Sequence, residues 1–174
     1  MRSSSTAPSW RGSRRGQPHA YRIDVFCSDI ADVVQSVGGW LFDQAMAGWH
    51  IGVILGPEQD PRPLQILGIG PHRLYDATVA MRPAAIAVAA DVLDRDNSVR
   101  NSVVAALHSG GGEVTVWGRS IAAEREFDHY LGTVQYPLSS AARAFKTQAL
   151  IAARATVPSL DHIELFRASS GKMP

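Results

Sequence analysis

The stretch from Tyr21 to Leu55 constrains the fold more than any other part of this chain. It reads YRIDVFC, then SDIADVVQSVGGWLFDQAMAG, then WHIGVIL. The first and last pieces are short apolar runs, as in buried strands. The middle piece repeats its apolar residues at the helical period of about 3.6. Strand, helix, strand in this order predicts a β-α-β unit whose strands lie parallel in one sheet, since parallel neighbours need a crossover of this kind. The other elements then read as additions to that unit. Together they predict a three-layer α/β domain: a mostly parallel sheet with helices on both faces, Rossmann-like in outline, with one antiparallel edge strand allowed for.

Along the chain, Tyr21–Cys27 is the first predicted strand. Ser28 is placed to cap the helix that follows, and Asp29 and Asp32 fall in its first turn, where carboxylates meet the positive end of the helix dipole. Ile30, Val33, Val34, Val37, Leu41 and Ala45 share one helical face. Gly38-Gly39 inside that helix costs about 1 kcal/mol per glycine relative to alanine. Either a neighbouring element passes very close there, or the helix kinks. Ile51–Leu55 is the second strand and Leu64–Ile69 a third. Their connection of about nine residues is short for a crossover helix and favours antiparallel pairing. Tyr75–Val79 reads as a short strand or loop.

Pro83 suits a first helical position, and Ala84–Leu93 reads as a helix by propensity. A second helical piece ends in Gly110-Gly111-Gly112, which permits positive φ and a sharp reversal into the strand Glu113–Trp117. Ser120–Leu131 and Ala141–Ala155 read as helices, the latter capped by Ser139 or Ser140. Thr133–Tyr136 is a strand or an extended loop, and His162–Phe166 is the last strand.

At 174 residues, with 45% hydrophobic and 19% charged side chains, the chain is sized and composed for one globular domain. We place that domain at 21–167, between a disordered basic leader (1–20) and a flexible tail (168–174). The leader holds Arg2, Arg11, Arg14 and Arg15 and no acid, while the remaining chain has thirteen basic and sixteen acidic side chains. An acidic body offers no broad nucleic-acid footprint, so only the arm would make phosphate contacts. Cys27 is the one cysteine, which excludes an intramolecular disulfide and a cysteine metal cluster and fits the reducing cytoplasm. Neither a signal-peptide core nor an apolar span of about 18 residues occurs, so no membrane association is expected.

Ligands of open α/β sheets gather outside the carboxyl ends of the strands. Three groups are predicted there: Cys27-Ser28-Asp29, Gly56-Pro57-Glu58 and Gly118-Arg119-Ser120. If they converge, Asp29 and Glu58 supply carboxylates, Ser28 and Ser120 hydroxyls and helix starts, and Arg119 a fork for a small anionic ligand. Cys27, before a helix start, is a candidate nucleophile with a lowered pKa, and His50 or His72 a candidate base. The six histidines show no HExxH or i,i+4 pair, so no metal is expected. Gly68-Ile69-Gly70 lacks the third glycine of a dinucleotide loop, so no cofactor is expected either.

With acid–base pairs, metal spacings and phosphate loops incomplete, the expectation is a cytoplasmic, non-enzymatic ligand-binding or protein-interaction domain. Self-association as a homodimer is expected because an apolar Ala84–Leu93 helix needs cover on more than one side. One alternative is a small enzyme acting on a phosphorylated or anionic metabolite at the carboxyl edge. That version requires a concave pocket holding at least three of Cys27, Asp29, Glu58 and Arg119. The other alternative is a nucleic-acid-associated protein that uses the basic arm.

Overall fold

A computed structural model describes residues 21–54, 58–72, 83–157 and 162–169. The predicted opening unit is present: β1 (Arg22–Phe26), α1 (Ile30–Met46) and β2 (His50–Ile54). β1 and β2 are parallel neighbours in register from Arg22↔His50 to Phe26↔Ile54. The chain continues through α2 (Arg62–Ile66), β3 (Pro71–His72), β4 (Ala85–Ala89), α3 (Ala90–Arg95), α4 (Asn97–Ser109) and β5 (Glu113–Trp117). It ends with α5 (Ile121–Phe127), β6 (Leu131–Pro137), α6 (Ser140–Ala152) and β7 (Ile163–Ser169). The seven strands among the described residues are ordered β3-β2-β1-β4-β5-β7-β6. The α/β architecture with a mostly parallel sheet and helices on both faces is therefore as expected.

Three readings are corrected. Leu64–Ile69 is not a strand: Arg62–Ile66 forms α2, with Pro63 in its first turn, and Leu64 and Leu67 are fully buried at helical spacing. β2 then pairs in parallel with β3, so no hairpin forms there. The antiparallel strand is β7, inserted between β5 and β6 near the other edge and antiparallel to both. Finally, Ala85–Ala89 is a strand, buried at every position between β1 and β5. A central parallel strand is covered on both faces and reads as a continuous apolar run, whatever the helix propensity of alanine. Its burial is complete within one chain, so the expected homodimer loses the argument it rested on. β7 also runs to Ser169, past the predicted end of the domain. Tyr75–Val79, residues 1–20 and residues 170–174 lie outside the described residues.

The alternation of side chains along the central strands separates two cores. Ile23, Val25, Ala85, Ala87, Ala89 and Trp117 point toward α1, α2 and α6. Ile86, Val88, Val114 and Val116 point toward α3, α4 and α5, where Leu93, Val103 and Phe127 meet them. The small alanines of β4 lie on the α1 side.

A buried ion pair locks α1 to the far end of the sheet. Glu164 of β7, 3% exposed, accepts hydrogen bonds from the backbone amides of Gly39 and Trp40, both at 2.8 Å. Lys146 of α6 donates to the same carboxylate at 2.5 Å and to the carbonyl of Gln35 at 2.7 Å. The carboxyl of Glu164 is pushed above its ordinary range, because burial disfavours the charge by more than Lys146 and the two amides favour it. Gly39 is required by this arrangement. A Cβ there would lie 2.5 Å from Leu138 Cδ2 and 3.1 Å from Glu164 Oε1. Of the two explanations for the glycine pair, close approach of a neighbour is the one that applies.

Gly39→Ala is accordingly expected to destabilise the fold by roughly 1–3 kcal/mol in urea unfolding, despite the better helix propensity of alanine. Gly38→Ala, whose Cβ would meet nothing closer than 3.4 Å, is expected to cost clearly less. Equal effects at the two positions would contradict the close-approach account.

Candidate active site at the carboxyl rim

From β1 the chain steps outward to β2 and β3, then returns to the other side of β1 as β4 and β5. The strand order thus reverses between β1 and β4, the place where open α/β sheets leave a crevice at their carboxyl ends. A cleft of about 240 Å³ opens there. Ser28, Asp29 and Asp32 reach it from the start of α1, Asp91 from the first turn of α3, and Trp117, Gly118 and Arg119 from the end of β5.

The polar groups differ in how far they are already engaged. Asp32 accepts the indole N–H of Trp117 at 2.7 Å through one oxygen and the hydroxyl of Ser36 at 3.2 Å through the other. Asp91 accepts the Ser28 hydroxyl at 3.0 Å and pairs with Arg95, which also donates to Ser28 Oγ. Gln59 braces the turn between β1 and α1: its amide donates to the Ser28 carbonyl at 2.7 Å and its oxygen accepts from the Ile30 amide at 3.0 Å. Asp29 is exposed and uses one oxygen to cap the helix through the Ala31 amide at 3.2 Å. Its second oxygen faces no donor among the described residues. Arg119 is exposed and, among the described residues, has no hydrogen-bond or ion-pair partner. Asp29 and Arg119, each with capacity left among the described residues, therefore line one cleft, beside an Asp32 with both oxygens engaged and an Asp91 held through one oxygen.

Of the residues singled out from sequence, Ser28, Asp29 and Arg119 are brought together. Ser120 is not: it is buried, caps α5 through the Ala123 amide at 3.1 Å and donates to Asp94 at 2.7 Å. Glu58 is exposed and does not line the cleft. The helix cap is Asp29 rather than Ser28. Cys27 lies under the rim with Sγ directed at the Ile54 carbonyl, 4.0 Å away. Its thiol is pushed up to about 12, first by burial and then by Asp32, Asp29 and Asp91. The expected lowering by a helix start is thus reversed, because burial, with three carboxylates after it, outweighs one dipole. His50 begins β2, at the opposite end of the strands. The cleft holds two of the four residues that the anionic-metabolite enzyme required, so Cys27 and Glu58 have no part in it. Asp91 and Arg95 were not anticipated. Asp91 would have been found by reading Ala85–Ala89 as a strand, since it then follows a strand's carboxyl end.

Among the described residues, no group of three or more His, Cys, Asp or Glu side chains is arranged to hold a metal ion. Nor is any described helix long and apolar enough to cross a membrane.

No protein-family model and no curated protein sequence matches this chain. Solved structures do. One is a triple mutant of a deacetylase of the teicoplanin biosynthetic pathway, with a TM-score of 0.53 and 13% identity over 85% of this chain and 97% of that one. Another is a deacetylase–teicoplanin complex from the same pathway, with a TM-score of 0.53 and 14% identity over 85% of this chain and 98% of that one. The likeness shows the fold. The expectation of a non-enzymatic domain runs against this finding, since the solved chains that share this architecture are deacetylases.

The reversed pKa of Cys27 has a direct consequence. A rise from 9.0 to about 12 leaves roughly a thousandfold less thiolate at pH 8. Iodoacetamide is expected to alkylate the folded protein about three orders of magnitude more slowly than it alkylates a free thiol. Asp32→Asn should raise the rate. Alkylation at the free-thiol rate would contradict the described surroundings of Cys27.

Proposed function

We propose that this protein is a small hydrolase that removes an acyl group from an amine at the β1/β4 rim. One observation carries the reading. Asp29, with one oxygen uncommitted, and Arg119, without a partner among the described residues, line the same cleft, at the crevice where such sheets bind ligands. Shared architecture with solved deacetylases supports the reaction class. The chemistry needs a base for water and a positive group for the developing oxyanion. In the step, Asp29 takes a proton from water as its oxygen attacks the amide carbon. Arg119 stabilises the negative charge gathering on the carbonyl oxygen. The C–N bond breaks, the proton passes from Asp29 to the leaving nitrogen, and a carboxylic acid and an amine depart. Asp32, held by Trp117 and Ser36, and Asp91, held by Ser28 and Arg95, shape the rim and favour the ammonium product.

Charge refines the substrate. Asp29, Asp32 and Asp91 face Arg95 and Arg119, so acids outnumber bases around the cleft. That balance favours a neutral acylated amine over a phosphorylated metabolite. The lone, unreactive Cys27 fits a cytoplasmic setting.

The test is release of amine from a panel of N-acetylated aryl and alkyl amines, followed with fluorescamine. Asp29→Asn is expected to lower kcat by about 10²–10⁴-fold, and Arg119→Gln by about 10²–10³-fold. A Cys27→Ala variant should remain active. Absence of turnover across the panel, or an Asp29→Asn variant as active as its parent, would refute the assignment.

A further inference from the structure

β6 forms one edge of the sheet: β7 pairs with it on one side and, among the described residues, no strand pairs with it on the other. The amide of Leu138 donates to the carbonyl of His162 at 2.8 Å, which fixes the phase of the ladder. In an antiparallel pair, residues whose backbone groups bond the neighbour alternate with residues whose groups point away. Gly132, Val134 and Tyr136 therefore bond to β7, while Leu131, Thr133, Gln135 and Pro137 turn their backbone groups to the open side. Natural sheets blunt such edges with lysine, a bulge or a very short strand. The opposite edge follows this rule, since β3 is Pro71–His72, two residues opening on a proline. β6 does not. Its sequence LGTVQYP carries no charge, and its register with β7 runs unbroken from Leu131↔Ser169 to Pro137↔Ile163.

The donors and acceptors on this edge are complementary to themselves. When two copies meet about a two-fold axis at Val134, Thr133 lies opposite Gln135 of the partner subunit, and each exchanges an amide and a carbonyl with the other. Leu131 lies opposite Pro137 of the partner subunit, which has no N–H to give. The Leu131 carbonyl needs none, because Arg167 already donates to it at 3.1 Å. On one face Val134 meets its own copy, and Tyr136 stands opposite Gly132 of the partner subunit, an aromatic ring against an edge glycine. A Cβ at Gly132 would meet nothing within 4 Å, so the space beside it is open. On the other face Thr133, Gln135 and Pro137 are exposed, as are Ile163 and Leu165 of β7, at 45% and 63%. No charge opposes a like charge at any position of the paired strands, a condition that self-pairing about a two-fold axis imposes.

We propose that two copies of this chain associate edge to edge through β6, in antiparallel pairing centred on Val134, so that their sheets run as one. The surface differs from the Ala84–Leu93 segment to which self-association was assigned from sequence. The inference does not rest on the hydrolase reading, since β5 and β7 stand between β6 and the β1/β4 rim.

The experiment is sedimentation equilibrium of the full chain from about 1 to about 300 µM, with hydrogen exchange at the Thr133 and Gln135 amides. A monomer–dimer equilibrium with a Kd on the order of tens of micromolar is expected, because an interface of one strand is small. The two amides should gain protection as the dimer fills. Thr133→Lys combined with Gln135→Lys sets like charges opposite each other across the axis and should weaken association at least about tenfold. Thr133→Lys combined with Gln135→Glu sets opposite charges at the same places and should restore it. A chain that stays monomeric over this range, a Lys/Lys variant as associated as its parent, or a Lys/Glu variant as weak as the Lys/Lys one would overturn the proposal. Protection of the two amides that does not depend on concentration would overturn it as well, by showing that the chain covers this edge itself.

Discussion

The carboxylate of Glu164 is the point through which the two ends of this molecule are tied. It sits on β7, the antiparallel strand, yet accepts the amides of Gly39 and Trp40 inside α1. Lys146 completes the junction by joining Glu164 to the Gln35 carbonyl. Burying such a pair is expensive, and replacing it by apolar packing is often no loss in stability. Breaking it by removing one partner is another matter, because an uncompensated charge is left inside. What the junction supplies is position. α1 carries Asp29 and Asp32 at its amino end, and the same helix is gripped from β7 and α6 at its middle.

The rim cleft follows from where the chain changes direction. β1 lies at the centre, β2 and β3 build one side of the sheet, and β4 and β5 the other. The connections leaving β1 and β4 therefore diverge and leave space between α1 and α3. Into that space the sequence puts three carboxylates and Arg119. Their surroundings divide the labour. Asp32 has both oxygens engaged, by Trp117 and Ser36, and Asp91 has one held by Ser28 and Arg95, whereas Asp29 spends one oxygen on the helix cap and Arg119 has no partner among the described residues. Burial first, and then the same acids, hold the Cys27 thiol protonated, which opposes a nucleophilic thiolate beneath this rim.

Local pattern was enough for the β1-α1-β2 unit, where the change from an apolar run to a helical stripe is sharp. It also identified β5, α5, α6 and the start of β7. It misread Ala85–Ala89 because alanine is the strongest helix former, and only pairing with β1 and β5, which no local window contains, makes the segment a strand. Leu64–Ile69 carries apolar residues at both periods, and Pro63 decided for a helix turn. Of the site, Ser28, Asp29 and Arg119 were legible as residues following strands. Asp91 was hidden by the misread strand, and Ser120 drawn away by its own helix. Glu164 was invisible in sequence: an acid within a short strand reads as a surface residue, and its partners lie 125 positions away on α1 and 18 away on α6.

Hydrogen exchange at the amides of Gly39 and Trp40 tests this view most directly. With the carboxylate of Glu164 accepting both, they should open only with global unfolding, and Glu164→Gln should release them to faster, local opening while the central strands stay protected. Rapid exchange of these two amides in the unaltered protein would mean that β7 does not grip α1, and the account would fail at its foundation.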